Sequence, residues 1–197
     1  MRSSRIKHQS QEYVFCLPET PLGPLRFSFT DRGLTALEFA GDGPVSLVAD
    51  AALPNHLLPL IEAVRRELSA YFAGVATDFA ALTLDPQGTP FQLRVWQELR
   101  RIPWGRTISY GELARRVGKP KASRAVGQAN AVNPIPLIVP CHRVIAADGS
   151  LGGYSSGLDR KRWLLRHEGF RFQVLGPGDG VQVNSAKKAK LPSSAVL

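Results

Sequence analysis

Cys16 and Cys141 are the only thiols in this chain of 197 residues, and only Cys141 has neighbours that suit it to chemistry. It lies in Asn133-Pro134-Ile135-Pro136-Leu137-Ile138-Val139-Pro140-Cys141-His142-Arg143-Val144. A thiol attacks as its thiolate. Burial raises the thiol pKa, so a reactive cysteine needs a base or a positive field beside it. His142 can supply the base and Arg143 a nearby positive charge. Adjacent side chains diverge, so a water bridging Cys141 and His142 meets the geometry better than a direct hydrogen bond. A carboxylate would hold the imidazole; Glu168, in Arg166-His167-Glu168-Gly169, is a candidate, although spacing alone does not set it above the other acids. The prolines predict an extended chain. Leu137-Ile138-Val139 reads as a buried run ending at Pro140, which would deliver the thiol to the floor of a pocket. Cys16, in an apolar run, reads as a small hydrophobe of the core, the usual fate of a lone buried cysteine.

The elements that must position this segment fall into two parts. Tyr13–Cys16, Leu25–Phe29 and Leu34–Phe39 are short apolar or alternating runs separated by Pro/Gly turns, which predicts a small antiparallel sheet. Gly41–Pro44 breaks it. Leu57, Leu60, Ile61, Val64, Leu68, Tyr71 and Phe72 then share one face of a helix stopping near Gly74, and Phe79–Leu84 is a further candidate strand. Asp85-Pro86-Gln87-Gly88 has a linker's composition. Beyond it, Thr89-Pro90 starts a helix as N-cap and first residue, with Phe91, Val95 and Leu99 on one face. Ser109 and Glu112 have capping-box spacing for a helix ending at Gly118. After the tight turn Gly118-Lys119-Pro120-Lys121, Ser123 caps a second short helix running to about Asn130. Two short helices about a basic turn have the form of a helix-turn-helix. Ala125, Gly127, Ala129 and Ala131 keep the second helix slim, which suits close packing or close approach to a partner. The organisation expected is a small α/β domain over 1–85, a mainly helical domain over 86–172 and a flexible tail over 173–197. Residues 1–11 read as a loose arm.

Charge follows the same division. The net charge is +9. Residues 1–85 carry 7 basic and 10 acidic side chains, residues 86–172 carry 15 and 5, and residues 173–197 carry 3 and 1. A positive excess confined to one part of a chain is the footprint of a polyanion partner, although a solubilising surface has the same composition. Hydrophobic residues make up 44% and charged residues 21%, enough apolar material for a core. No apolar run is long enough to span a bilayer, and no secretory h-region follows the basic N-terminus. Two cysteines argue against a disulfide framework and for a reducing compartment. The four histidines, His8, His56, His142 and His167, are scattered, so no metal site is expected.

Pro140-Cys141-His142-Arg143-Val144 resembles the active-site signature of the O6-alkylguanine-DNA alkyltransferases. Thr107-Ile108-Ser109-Tyr110-Gly111-Glu112-Leu113-Ala114 is similar to the first helix of that family's helix-turn-helix. Arg124-Ala125-Val126-Gly127, followed by Asn133-Pro134, is similar to its recognition helix and the next turn. Gly153-Tyr154-Ser155 and Trp163-Leu164-Leu165 to Glu168-Gly169 match its substrate loop and final helix. The resemblance is strong from Thr89 to Gly169 and weaker through Thr20–Leu25 and Gly33-Leu34. It implies a ribonuclease-H-like first domain and a winged-helix-like second one. It also implies DNA repair by direct reversal: one irreversible transfer of the alkyl group from O6-alkylguanine to Cys141, without a cofactor, in the cytoplasm and on the nucleoid in a bacterium.

The same resemblance distributes roles. His142 would take the thiol proton through water, Glu168 would orient His142, and Asn133 would brace the active-site turn. Tyr110 would donate to N3 of the guanine, whose developing charge needs stabilising. Val144, Tyr154, Ser155 and Ser156 would line the base pocket. Because such a base is out of reach inside a duplex, it would be flipped. Arg124 would fill the vacated space, with Ser123, Ala125, Gly127 and Tyr110 against the minor groove. The implied partner is double-stranded DNA carrying alkylated guanine, with alkylated thymine as a second substrate, bound by a monomer that clusters along the duplex. Two departures stand out. Ser156 occupies a position where the family often has glycine, and the metal-binding N-terminal cysteines of some relatives are missing. Three other readings compete. A damage-binding protein without chemistry would lack Cys141. A Cys/His hydrolase places its two residues far apart in sequence. A structural winged-helix protein would have an unreactive Cys141.

Overall fold

The computed structural model describes residues 12–40, 53–174 and 181–184. The expected arm (1–11), the break at Gly41–Pro44 and the Lys/Ser-rich segment 186–194 lie outside the described residues. Strand β1 (Tyr13–Leu17), β2 (Leu25–Thr30) and β3 (Gly33–Phe39) form an antiparallel sheet in that order, in register Phe15↔Phe27 and Phe27↔Leu37. Phe15, Phe27 and Phe29 are buried, with the Phe15 and Phe27 rings stacked at 5.8 Å. Against this sheet lies α1 (Leu58–Phe72), which buries Ile61, Val64, Leu68 and Tyr71 at helical spacing. Gly74, at φ 80°, supplies the left-handed residue after its end.

Phe79–Leu84 does not form the expected strand. Phe79 has φ 55° and its carbonyl accepts from Leu82 N in a turn, so one parallel bridge, Leu34↔Leu84, is all that pairs. Leu34 N donates to Thr83 O at 3.0 Å and Asp85 N to Leu34 O at 2.8 Å. This close approach requires Gly33: its φ is 147°, and a Cβ there would sit 2.6 Å from Thr83 O.

The second half is helical. Helix α2 (Pro90–Arg100) opens with a capping box in which Gln92 N donates to Thr89 Oγ1 at 3.3 Å and Thr89 N to Gln92 Oε1 at 2.7 Å. It buries Val95, Trp96 and Leu99, and the Trp96 indole donates to Ala129 O at 2.8 Å. Strand β4 (Ile108–Ser109) leads directly into α3 (Tyr110–Arg116), where Ser109 Oγ accepts from Glu112 N at 3.1 Å. Helix α4 (Ser123–Ala131) packs on α2 and α3. Ser123 does not cap it. It is the first helical residue, and the preceding Ala122 makes no side-chain cap.

Strand β5 (Val144–Ile145) pairs in parallel with β4, Ile108 opposite Val144, and α5 (Leu158–His167) follows. The tail expected from residue 173 is in part a hairpin, β6 (Arg171–Val174) with β7 (Val181–Asn184). Both strands alternate polar and apolar residues with period two, but each run is only four residues long and the Gly/Pro-rich stretch 175–180 separates them. The result is a small sheet-and-helix domain followed by a helical domain. One apolar cluster runs through both, and Leu37 N in β3 donates to Pro134 O at 2.8 Å. No helix among the described residues is long and apolar enough to cross a membrane.

Candidate active site

Residues 133–141 are not extended, as their prolines predict, but folded on themselves. Asn133, 8% exposed, accepts from Ile135 N at 3.1 Å and donates through Nδ2 to Val139 O at 2.8 Å. Val139 N returns to Ile135 O at 2.9 Å, with Leu137 between them at φ 71°. Pro140 (φ −79°, ψ 65°) has the inverse γ-turn conformation, closed by Cys141 N to Val139 O at 2.7 Å. The side chain of Asn133 therefore overrides the extended preference of the X-Pro peptides by satisfying two backbone groups inside the turn. Asn130, from α4, reaches Cys141 O at 3.4 Å.

Cys141, His142 and Arg143 form one 3-10 turn, and all three are buried. Burial pushes the Cys141 thiol up; the Asn133 side chain, the Lys161 charge and the Tyr154 hydroxyl work in the opposite direction. His142 Nε2 lies 2.8 Å from Glu168 Oε1. Burial would raise the Glu168 carboxyl, but His142 and Arg143 outweigh it and hold the group at about 2. A carboxylate only accepts, so Nε2 of His142 donates the proton. Nδ1, buried and without a protein hydrogen-bond partner, then carries the lone pair. Burial lowers the His142 pKa, favouring this neutral form.

Arg143 is not the cation that acts on the thiol. Its Nε donates to Glu168 Oε2 at 2.9 Å, Nη2 to Oε1 at 2.9 Å, and Nη1 to Ile102 O at 2.6 Å. It lies two residues on from Cys141 in the turn, and its guanidinium is held by Glu168 at the end of α5. The positive field comes instead from Lys161, which the sequence reading missed. It is 0% exposed and donates to the carbonyls of Val144 (2.6 Å), Leu151 (2.5 Å) and Gly153 (3.2 Å). Burial brings its pKa down to about 8, against the opposing effect of Cys141. One signal for it existed: Lys161 and Glu168 sit on the same stripe as Leu164 and Leu165, charges at core positions of α5.

Tyr110 comes close because the β4–β5 pairing sets the start of α3 beside the cysteine segment. Its hydroxyl lies 3.5 Å from Gly153 O; burial and then Cys141 raise its pKa, so the phenol keeps its proton. Gly152, at φ 63°, passes so near that a Cβ would lie 3.1 Å from that hydroxyl. The Tyr154 hydroxyl is buried, makes no regular hydrogen bond and faces Cys141; its pKa is held well above the ordinary value, first by burial and then by the thiol. The arrangement offers a buried sulfur nucleophile, a neutral imidazole backed by a carboxylate, and two neutral phenols: parts for an alkyl or acyl transfer to sulfur.

Residues 13–86 match the family model described as 6-O-methylguanine DNA methyltransferase, ribonuclease-like domain, and residues 90–170 match the DNA binding domain of the same family. The chain belongs to the 6-O-methylguanine DNA methyltransferase family. It is 46% identical over 155 residues to the methylated-DNA–protein-cysteine methyltransferase of Methanosarcina acetivorans, covering 79% of this chain and 97% of that one. To the Mycobacterium leprae protein of the same name it is 50% identical over 157 residues, covering 80% and 92%. The crystal structure of Mycobacterium tuberculosis OGT in complex with DNA superposes with a TM-score of 0.67 at 43% identity, covering 79% of this chain and 91% of that one.

Within this 6-O-methylguanine DNA methyltransferase architecture the remaining sequence-selected residues divide. Arg124 and Ala125 are exposed on α4, Ser123 is half-buried, and Gly127 turns inward, where a Cβ would meet the Tyr110 ring at 3.8 Å. Val144 is fully buried, with its carbonyl turned to Lys161. Ser155 and Ser156 line a cleft of about 480 Å³ with β3 residues 36–39, Asn133, Pro134, Pro136 and Arg160. The thiol itself is 1% exposed.

Proposed function

We propose that this protein repairs DNA by direct reversal, moving the alkyl group of O6-alkylguanine onto Cys141 in a single irreversible turnover. The observation that carries this reading is the buried Cys141 held beside a His142–Glu168 pair whose free lone pair, on Nδ1, can serve the thiol through one water. The thiol proton passes by that route to His142. Sulfur attacks the alkyl carbon, the carbon–oxygen bond breaks, and the electron pair leaves on the guanine, whose developing charge is stabilised by a hydrogen bond from the Tyr110 phenol to N3. Nothing in the site is placed to cleave the resulting thioether, so the protein is consumed.

Asn133 braces the turn that presents the sulfur. Val144, Tyr154, Ser155 and Ser156 shape the base pocket. The base reaches the pocket by flipping from the minor-groove side, with Arg124 entering the stack and Ser123, Ala125 and Gly127 giving α4 its close approach. The domain reading is 1–85 and 86–172, of ribonuclease-H-like and winged-helix type. The working unit is a monomer inside the cell, clustering along DNA, with alkylated thymine as a second substrate. Support comes from the basic second half, the exposed Arg124 and Ala125 of α4 and the family membership.

The test is intact mass after mixing the protein with a duplex carrying one O6-methylguanine, beside Cys141→Ala. A gain of one methyl, mapped to Cys141 and absent in the variant, is the expected result. Binding without mass gain sinks the transferase reading in favour of a damage-recognition protein.

A further inference from the structure

Tyr71 belongs to α1 of the first domain, a region whose sequence shows no chemistry, yet its hydroxyl donates to Glu168 Oε1 at 3.0 Å. It is fully buried. Its ring is fixed by Phe72, Phe79 and Trp104, and its carbonyl receives His167 Nε2. The same carboxylate oxygen also receives His142 Nε2 at 2.8 Å and Arg143 Nη2 at 2.9 Å, with Arg143 Nε at 3.2 Å. Gly105 N approaches the other oxygen at 3.5 Å. A carboxylate oxygen offers about two lone-pair directions, so the phenol, the imidazole and the guanidinium compete for Oε1.

We propose that Tyr71 is a positioning residue through which the first domain sets the basicity of His142. This rests on the transferase reading above only for its consequence on rate. The phenol disperses the Glu168 charge and draws part of it away from the imidazole. Without that donor, the carboxylate binds the His142 proton more tightly, and the imidazolium persists to higher pH. The other charges facing His142 are Arg143, which shares Oε1 with Tyr71, and, from α5, Lys161, which is bonded to backbone carbonyls instead; both oppose its protonation. The charged or titratable groups acting on Tyr71 itself are Glu168, Arg143 and Tyr154.

The experiment is a histidine ring NMR titration of the full chain, with His142 assigned by His142→Gln, alongside the pH profile of single-turnover methyl transfer. Tyr71→Phe, which keeps the packed ring, should raise the His142 midpoint and the acid limb of the rate together, by about half a pH unit. Site-specific replacement of Tyr71 by a fluorotyrosine, a stronger donor of the same shape, should lower both, and it remains informative if the phenylalanine variant folds poorly. Midpoints that stay put in both variants, with rate lost only in proportion to folded protein, would overturn the proposal and leave Tyr71 as a core side chain. A His142 midpoint that moves in a protein unable to transfer methyl would uphold the coupling and remove the transferase reading.

Discussion

At the scale of single residues the site is organised around one carboxylate. Glu168 accepts from His142, Arg143 and Tyr71 at 0% side-chain exposure, so its charge is matched by neighbours rather than by water. Breaking such a group by removing one partner leaves the others uncompensated, which costs more than the pair contributes. Glu168→Gln should therefore lose about 3–5 kcal/mol in urea unfolding and, on the proposed mechanism, slow methyl transfer by more than the folded fraction explains. A variant within about 0.5 kcal/mol of the parent would mean that Arg143 reaches another acceptor.

At the scale of elements, short connections do the positioning. The two-residue β4–β5 pairing ties the start of α3, and with it Tyr110, to the segment leaving Cys141. Lys161 ties α5 to the connection that precedes it, through Val144 O in β5 and through Leu151 O and Gly153 O within the loop. Lys161→Met keeps the volume and removes the donors. Amide hydrogen exchange across residues 146–157 should then speed up by tenfold or more while α2 stays protected, since each lost buried bond costs about 1–3 kcal/mol locally. Unchanged exchange would show that packing alone holds the loop.

At the scale of the whole molecule, acid should unfold the protein through this same site. Glu168, near 2 in the folded state, lies below its ordinary 4.5, so it contributes stability that is fully present above pH 4.5 and lost as pH falls towards 2, on the order of 3 kcal/mol. His142, lowered by burial, adds to this below about pH 6.5, because the unfolded chain takes up its proton first. The urea midpoint should fall steadily from pH 7 to pH 3, and a flat profile would remove the buried relay from the stability balance. The basic second half makes a separate prediction for the proposed DNA partner. Binding should weaken steeply with salt, and Arg124→Ala should leave the slope of log K against log salt nearly unchanged if Arg124 enters the base stack, but lower it by about 1 if it contacts phosphate.

Much of this is legible in the sequence. The signature around Cys141, the Thr89 cap, the apolar face of α1 and the three strands are local patterns, written in residue type and spacing. Whatever depended on residues meeting from distant parts of the chain was decided by tertiary structure. Sequence put Arg143 two residues from Cys141, yet its guanidinium turns to Glu168, and Lys161, 20 positions on from Cys141, supplies the nearby charge. Pro134 and Pro136 predict an extended chain, yet Asn133 folds the chain back because two buried backbone groups needed partners. Tyr71 read as one more apolar position on a helix. Only the packing of α1 against the end of α5 gives its hydroxyl an acceptor, since a buried polar atom takes whatever partner the fold brings within reach.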